Sequence, residues 1–317
     1  MRIAIVGAGM AGLSCATGLR DIGHTVTLFD KGRGPGGRMS TRRMDSPLGP
    51  VSFDHGAQYF TSRDPGFRRQ VQAWEAQGHA ARWPMAAPDG WIGTPSMNAV
   101  IKAMARDQDV RWNTCIERIE QEEMDWLLHT ADAPFSGYNA VVLAIPAEQA
   151  LPFLSLHDFS MAREAMLARS QPCWTAMFAF ASPLPGGKDM IRDTGNLGWA
   201  VRNAAKPGRT GPESWVVQAL PEWSQIHVED PAESVKALLL ADLSDALGAD
   251  LPEPVVSSAH RWRYAMSAGL GLGAMWNAKA GLGLCGDWLL GPRVECAWLS
   301  GQQLARAFLE NPPGTPT

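Results

Sequence analysis

Three glycines near the amino terminus, Gly7, Gly9 and Gly12, stand in the spacing G-x-G-x-x-G, and a carboxylate, Asp30, follows 18 residues after the last of them. That set suits a dinucleotide. The first glycine permits a tight turn, the second leaves room for a pyrophosphate and the third lets a helix lie close to a sheet. An acid about 20 residues further on accepts hydrogen bonds from ribose hydroxyls. The plainer alternative makes Asp30 a strand-ending residue that caps the next turn. A second chemistry-bearing stretch begins at once: FDKGRGPGGRMSTRR, residues 29–43, sets Gly32, Gly34, Gly36 and Gly37 among five basic side chains. Such glycines bring backbone close to a ligand, while Arg38 and Arg42 offer forked donors to phosphate. A solvated flexible loop is the alternative here.

These residues need a strand, a turn, a helix and a second strand to position them. RIAIV (2–6) reads as a short strand, Leu13 to Leu19 continue a helical pattern that Gly23 ends, and TVTLFD (25–30) alternates as the second strand. The first N–H groups of the helix then face a phosphate with the positive end of its dipole. The same segment has the apolar run of a signal peptide, but its glycine spacing favours the βαβ reading. Far along the chain, LGLCGDWLLGPRVECAW from residue 282 reads as a strand ending at Gly286-Asp287, a loop, and a helix starting near Val294 or Glu295. In between, MDWLLHT and YNAVVLAIPAEQ (138–149) read as strands, as do 171–181 and 213–220, while 232–248 is helical by its apolar spacing. The tail NPPGTPT is expected to fray.

Composition narrows the function. With 28 Lys+Arg against 32 Asp+Glu among 317 residues, the chain lacks the basic excess of a nucleic-acid binder. Five scattered cysteines without a C-x-x-C pair argue against a disulfide framework or a zinc site and fit a reducing cytoplasm. No apolar run reaches the roughly 18 residues of a membrane span, and no repeat of solenoid length recurs. Thirteen tryptophans imply a heavily packed core or a cavity with flat walls, the core being favoured for most of them.

A nicotinamide-dependent Rossmann enzyme usually needs no second glycine loop, whereas FAD enzymes with GGR after the second strand commonly carry one. The stretch resembles the GGR motif of the flavin amine oxidase and renalase group, and DHGAQYF (54–60) resembles the segment that follows it there. The likeness is sharpest to the renalases, bacterial ones above all. It spans nearly the whole chain through four blocks: GAGMAGLS; KGRGPGGRMSTRR with DHGAQYF; HRWRYA (260–265); and CGDW with RVECAWLSG. It implies an α/β fold in a p-hydroxybenzoate hydroxylase-like arrangement. A Rossmann-type FAD-binding domain (1–75, 96–150 and 260–317) is then joined to a second, sheet-based substrate domain (76–95 and 151–259). It also implies non-covalent FAD, held by Gly7, Gly9, Met10, Ala11, Gly12, Asp30, Lys31, Gly37, Arg38, Arg42, Gly56, Ala57, Gln58, Asp287 and Glu295. Asp287 would reach the ribityl or phosphate region, and the helix behind it would aim its N-terminus at the pyrimidine carbonyl, where reduced flavin carries negative charge. One departure is Cys296, where the family usually has glycine. It reads either as a small buried apolar residue or as a thiol that alters flavin potential or access.

Candidates for substrate contact come from three places. A strand through HRWRYA would put His260, Trp262 and Tyr264 on one side and Arg261 and Arg263 on the other, and His260 is the residue chosen for contact. The loop WAVRNAAKPGR presents Arg202, Asn203, Lys206 and Arg209 either to an anionic ligand or to solvent. Trp298 and Arg63 follow from their places in the resembling blocks AWLSG and TSRD. The resemblance implies a substrate that is a 2- or 6-dihydro isomer of NAD(P)H. The loop at 202–209 would hold its pyrophosphate, no side chain would be an obligatory base, and O2 would take the electrons to give hydrogen peroxide. Two other functions stay open: a flavin amine oxidase acting on a small amine, for which Lys279 is the only lysine near the late blocks, and a flavin-binding module without turnover. No metal, membrane or nucleic-acid partner is expected, and oligomeric state, exact substrate and the choice between NAD and NADP forms are not legible.

Overall fold

The computed structural model describes residues 1–122 and 125–314. Its first sheet is parallel in the order Leu282–Leu284, Ala140–Leu143, Arg2–Val6, Thr25–Phe29, Asp109–Arg111, with Met275–Asn277 added antiparallel at the Leu282 edge. Strands covered on both faces are apolar throughout, as Ile3, Ala4 and Ile5 show by their complete burial. One face carries the helices Met10–Asp21 and Val294–Glu310. They cross closely, because a Cβ on Gly301 would lie 2.3 Å from the Ala11 carbonyl oxygen and one on Gly18 would lie 2.7 Å from Ala305 Cβ. The other face is covered by a three-stranded sheet (Arg118–Glu122, Asp125–His129, Phe135–Tyr138) and by the helices Ala147–Leu154 and Phe159–Leu167.

The second large sheet is antiparallel, in the order Met190–Thr194, Leu197–Arg202, Glu213–Ala219, Ser170–Phe180, Val256–Ser267. Period-two alternation splits its central strand. Ala176, Phe178 and Phe180 pack under the helix Ala232–Leu247, whose Val235, Leu239, Leu243 and Leu247 recur every fourth residue. Met177 and Ala179 face the first half of the molecule. The strand Val256–Ser267 lies at the edge of this sheet, its residues 256–262, 266 and 267 pairing with Ser170–Ala179 across a register shift between Gln171 and Cys173. A hairpin, Thr41–Met44 with Val51–Asp54, lies at the junction of the two halves.

Element positions match the sequence pattern with one instructive difference. The stretch 138–149 is not one strand: Tyr138 ends a strand of the three-stranded sheet, Ala140–Leu143 joins the parallel sheet, and a helix begins at Ala147 after Pro146. Met124, the first residue of MDWLLHT, lies outside the described residues, as do 315–317 of the tail. Up to Gly314 the tail is tied back, the Gly314 N–H donating to the Ala278 carbonyl at 2.9 Å. Seven tryptophans are buried (74, 83, 91, 126, 174, 215 and 288), which is the core role expected for most of them.

Candidate active site

The glycine turn separates what the protein requires from what a ligand would require. A Cβ on Gly12 would lie 2.0 Å from the Gly7 carbonyl oxygen, and Gly7 itself, at φ +105°, would place one 2.5 Å from the Ala144 oxygen. Packing therefore dictates both glycines. Gly9 differs: nothing lies within 4 Å of its Cβ position. That open space sits at the N-terminus of the helix Met10–Asp21, whose first N–H groups have no intrahelical partner. The geometry fits a pyrophosphate at this point. Asp30 belongs to the same turn, its Oδ2 accepting from the Ala8 N–H at 2.8 Å and its Oδ1 from the Gly32 N–H at 2.7 Å.

Gly37, at φ +51°, stands over this turn with its Cβ position 3.7 Å from Gly9 Cα. Lys31 beside it is exposed. Two peptide groups weld the loop to the GAQ segment: the Ala57 N–H donates to the Arg38 carbonyl at 2.8 Å, and a Cβ on Gly56 would lie 2.1 Å from that same oxygen. The Arg38 guanidinium reaches the late block, donating from Nη1 to Asp287 Oδ2 (2.8 Å) and from Nη2 to Oδ1 (2.5 Å). Arg38, Gly56 and Asp287 thus meet from three distant parts of the chain. Glu295 is a buried strut, its Oε1 accepting from the N–H groups of Arg63 and Asp64, both at 2.6 Å. Asp64 in turn caps the helix Pro65–Ala76 through the N–H groups of Gly66 and Phe67. Cys296 is buried beside Gly291.

The substrate candidates divide. Lys206 and Arg209 do not offer their charges to a ligand, contrary to the expectation for their loop: their side chains are 0% and 3% exposed and both converge on buried Asp54. Arg209 donates to Asp54 Oδ2 from Nη2 (2.6 Å) and Nε (3.0 Å), whereas the Lys206 ammonium lies 3.4 Å from that oxygen and donates to Gln58 Oε1 at 2.8 Å. The other carboxylate oxygen accepts from the Thr41 hydroxyl and the Met97 N–H. Burial alone would raise the Asp54 pKa, but the two cations and these donors hold it well below the usual carboxylate range. The Lys206 pKa is lowered too, to about 8: burial outweighs the attraction of Asp54, and the Arg209 charge adds to the loss, so here it is the charged form that is disfavoured. Arg202 is likewise engaged, by Asp189 and Glu213.

Asn203 is buried, donating to the Ser52 carbonyl at 2.8 Å with its Oδ1 unpartnered. Arg63 points outward and pairs with Asp89 at 3.3 Å. Trp298 packs on Phe67 with centroids 5.5 Å apart, within the contact between two helices. Neither is brought to His260.

His260 does enter a cluster. Its ring meets Trp262 at 4.4 Å and His55 at 5.1 Å between centroids, and the Trp262 indole N–H donates to the His55 carbonyl at 2.8 Å. Arg261 and Arg263, on the opposite side of the strand, both pair with Glu229. Arg42, expected from sequence among the cofactor contacts, turns instead to this cluster, donating to Ser258 Oγ at 2.9 Å. Burial, then His260 and Arg42, lower the His55 pKa to about 3, and burial with Arg42 lowers that of His260 to about 4, so both imidazoles are neutral near pH 7. Asp54, His55 and Ser258 were not singled out from sequence. For Asp54 and His55 the one signal was the block DHGAQYF, in which they precede the glycine that packs against Arg38; Ser258 lies just before the HRWRYA block, on the face that His260 shares.

A glycine turn that leaves room only at Gly9, met by a GGR loop and a late Gly-Asp turn, is the construction of a dinucleotide-binding flavoprotein. The chain belongs to the flavin-containing amine oxidoreductase family, whose sequence profile matches residues 72–309, and a profile of the NAD(P)-binding Rossmann-like domain matches residues 5–74. It is accordingly an FAD-dependent oxidoreductase, with FAD as cofactor. Among curated proteins it is similar to the tRNA 5-methylaminomethyl-2-thiouridine biosynthesis bifunctional protein MnmC of Magnetococcus marinus, 29% identical over 197 residues, 46% of this chain and 29% of that protein. It is also similar to the 4,4'-diapophytoene desaturase of Staphylococcus aureus strain Newman, 41% identical over 56 residues, 18% of this chain and 10% of that one. The matched part is therefore under a third of either relative's length. Among solved structures, an Exiguobacterium sp. 255-15 protein provisionally assigned as a protoporphyrinogen oxidase shares the fold with TM-score 0.79 at 13% identity, covering 98% of this chain and 99% of its own. Cyclohexylamine oxidase from Brevibacterium oxydans IH-35A follows with TM-score 0.67 at 14% identity, covering 98% of each chain. Among the described residues no helix is long and apolar enough to cross a membrane.

Proposed function

We propose that the protein takes a hydride from 2- and 6-dihydro isomers of NAD(P)H, restoring NAD(P)+, with O2 as final acceptor and hydrogen peroxide as product. The observation that carries this reading is the polarity of the wall beside Gly56. His55 and His260 are neutral, Trp262 adds a flat face, and Arg42 is a cation that forms no ion pair among the described residues. Such a wall suits a flat, neutral ring bearing a carboxamide on an anionic dinucleotide, and it opposes an ammonium. Losing a hydride makes the nicotinamide ring aromatic, so the driving force lies in the substrate and the protein has to align it.

Bound FAD supplies the two-electron acceptor. Gly7, Gly9, Met10, Ala11 and Gly12 would hold its pyrophosphate, Asp30 and Lys31 its ribose end, and Gly37, Arg38, Gly56, Ala57 and Asp287 the remainder, without a covalent link; Gln58, spent on Lys206 and two carbonyls, and Glu295, spent on the Arg63 and Asp64 N–H groups, would support these segments from behind. No side chain is required as a general base. The division into a cofactor lobe and a substrate lobe belongs to this proposal, as does a cytoplasmic setting, which suits five free cysteines.

Oxidation of a small amine is the second reading, favoured by the family itself and by the coverage of cyclohexylamine oxidase. Against it, the stacked pair Tyr59 and Trp199 already carries a cation, the Arg192 guanidinium 4.2 Å from the Trp199 ring centroid, and Lys279 is exposed. Anaerobic mixing with aged NADH that contains the 2- and 6-dihydro isomers tests the choice, with fresh NADH and a panel of amines as controls. Flavin bleaching by the isomers alone supports the first reading. Bleaching by an amine and not by the isomers removes it.

A further inference from the structure

The wall beside Gly56 holds several hydrogen-bond donors that the fold leaves unused. Arg42 gives one N–H to Ser258 and forms no ion pair among the described residues, so the rest of its five-donor fork stays available. Because Ser258 Oγ accepts that bond, its own hydroxyl proton is free to be donated. His260 makes ring contacts with His55 and Trp262 but no hydrogen bond among the described residues, which leaves its N–H free. His55, 6% exposed, backs this set, its Nε2 lying 3.4 Å from Ser40 Oγ. The nearby carboxylate, Asp54, is consumed by Arg209 and Lys206 and carries two cations against its single charge.

A fork, a hydroxyl and an imidazole N–H, presented together with no unpaired acid in contact with them among the described residues, form the donor set that an oxyanion selects. We propose that Arg42, Ser258 and His260, with His55 behind them, form a subsite for an oxyanion, a carboxylate or phosphate oxygen carried by the substrate. It makes Arg42 a specificity-determining residue. The proposal rests on the functional reading above only in placing a substrate beside Gly56. Its chemistry does not depend on which substrate that is. Strand geometry separates Arg42 from Arg38: Arg38 lies in the turn Gly37–Met39 and faces Asp287, whereas Arg42 lies on the strand Thr41–Met44 and faces the substrate-side sheet.

Three probes of one shape test this on the flavin-loaded protein: benzoate, benzamide and benzylamine, each titrated by its perturbation of the bound flavin spectrum. The wild type should bind benzoate more tightly than benzamide, and benzylamine most weakly. Arg42→Gln should weaken benzoate by about 10- to 100-fold, the range of a lost charge-assisted bond. It should leave benzamide within about 3-fold and flavin content unchanged. Arg42→Lys, which keeps the charge and loses the fork, should fall between. Equal weakening of benzoate and benzamide would overturn the proposal, as would failure of the wild type to bind benzoate. Loss of flavin from Arg42→Gln with benzoate unaffected would assign the arginine to the cofactor's phosphate instead. If isomers fail to bleach the flavin while benzoate discrimination holds, the substrate reading falls and the subsite stands.

Discussion

Replacing Lys206 by methionine removes one of two cations that share a single buried carboxylate. The side chain is fully buried, and its ammonium has Asp54 at 3.4 Å, Gln58 at 2.8 Å and the Trp83 ring centroid at 5.7 Å. Burial lowers its pKa from 10.5 to about 8. A base that binds its proton less tightly when folded is charged at a cost below the folded value, and the cost is relieved as pH rises toward the unfolded value. The full penalty is about 3 kcal/mol, and between pH 7 and pH 9 the wild type should recover about 1 kcal/mol of it. Methionine fills nearly the same volume without charge. Urea unfolding of flavin-loaded wild type and Lys206→Met, followed by tryptophan fluorescence at pH 7, 8 and 9, isolates this contribution, because groups common to both proteins cancel. The wild type should gain on the variant by that amount as pH rises. A difference constant with pH would refute the reasoning, since it would mean that Lys206 stays charged throughout as the true partner of Asp54. Asp54→Asn gives the converse. Two buried cations are left without their carboxylate, and a loss of about 3 to 5 kcal/mol is expected at pH 7.

The glycine turn offers a separable pair of substitutions. Gly12→Ala should fail to fold stably, because its Cβ would lie 2.0 Å from the Gly7 oxygen, whereas Gly9→Ala should melt like wild type as apoprotein yet bind FAD more weakly, as a flavin titration would show. Glu295→Ala strands the N–H groups of Arg63 and Asp64, and a loss of about 2 to 4 kcal/mol in thermal or urea unfolding is expected, with Glu295→Gln retaining most of the stability through its remaining oxygen. His55 and His260, lowered to about 3 and about 4, bind fewer protons folded than unfolded below pH 6.5. Stability should therefore fall on acidification from pH 6.5 to 4, and His55→Gln with His260→Gln should flatten that slope.

What could be read from sequence was what local geometry enforces. Gly7 and Gly12 are set by close backbone contacts, Gly37 by its positive φ, and Asp30 by the end of a strand, so their spacing alone located the turn. The loop at 202–209 was misread because nothing local reveals that Lys206 and Arg209 reach Asp54, about 150 positions earlier, through the packing of two sheets. Arg38 and Arg42 looked equivalent within one basic stretch. A turn of 3-10 helix followed by a strand sends them to different partners, Asp287 and Ser258. The strand expected over 138–149 divides because Tyr138 and Ala140 join different sheets on either side of Asn139, whose own side-chain oxygen accepts from the Arg2 N–H.

The acids of the candidate site, from the glycine turn to Asp54, share a property that bears on the substrate. Asp30 accepts from two backbone N–H groups, Asp287 is forked to Arg38, Glu295 holds the turn before a helix, and Asp54 carries two cations. Each of these carboxylates already accepts from the protein, and beside Gly56 the groups left over are donors: Arg42, Ser258 and the neutral imidazoles. An ammonium entering here would find no counter-charge and would have to shed water against Arg42, at a cost that grows as the site dries. A neutral ring with an anionic extension meets the reverse condition. Binding of benzylamine as tight as that of benzoate would contradict this inference even if every hydrogen bond described here were found unchanged.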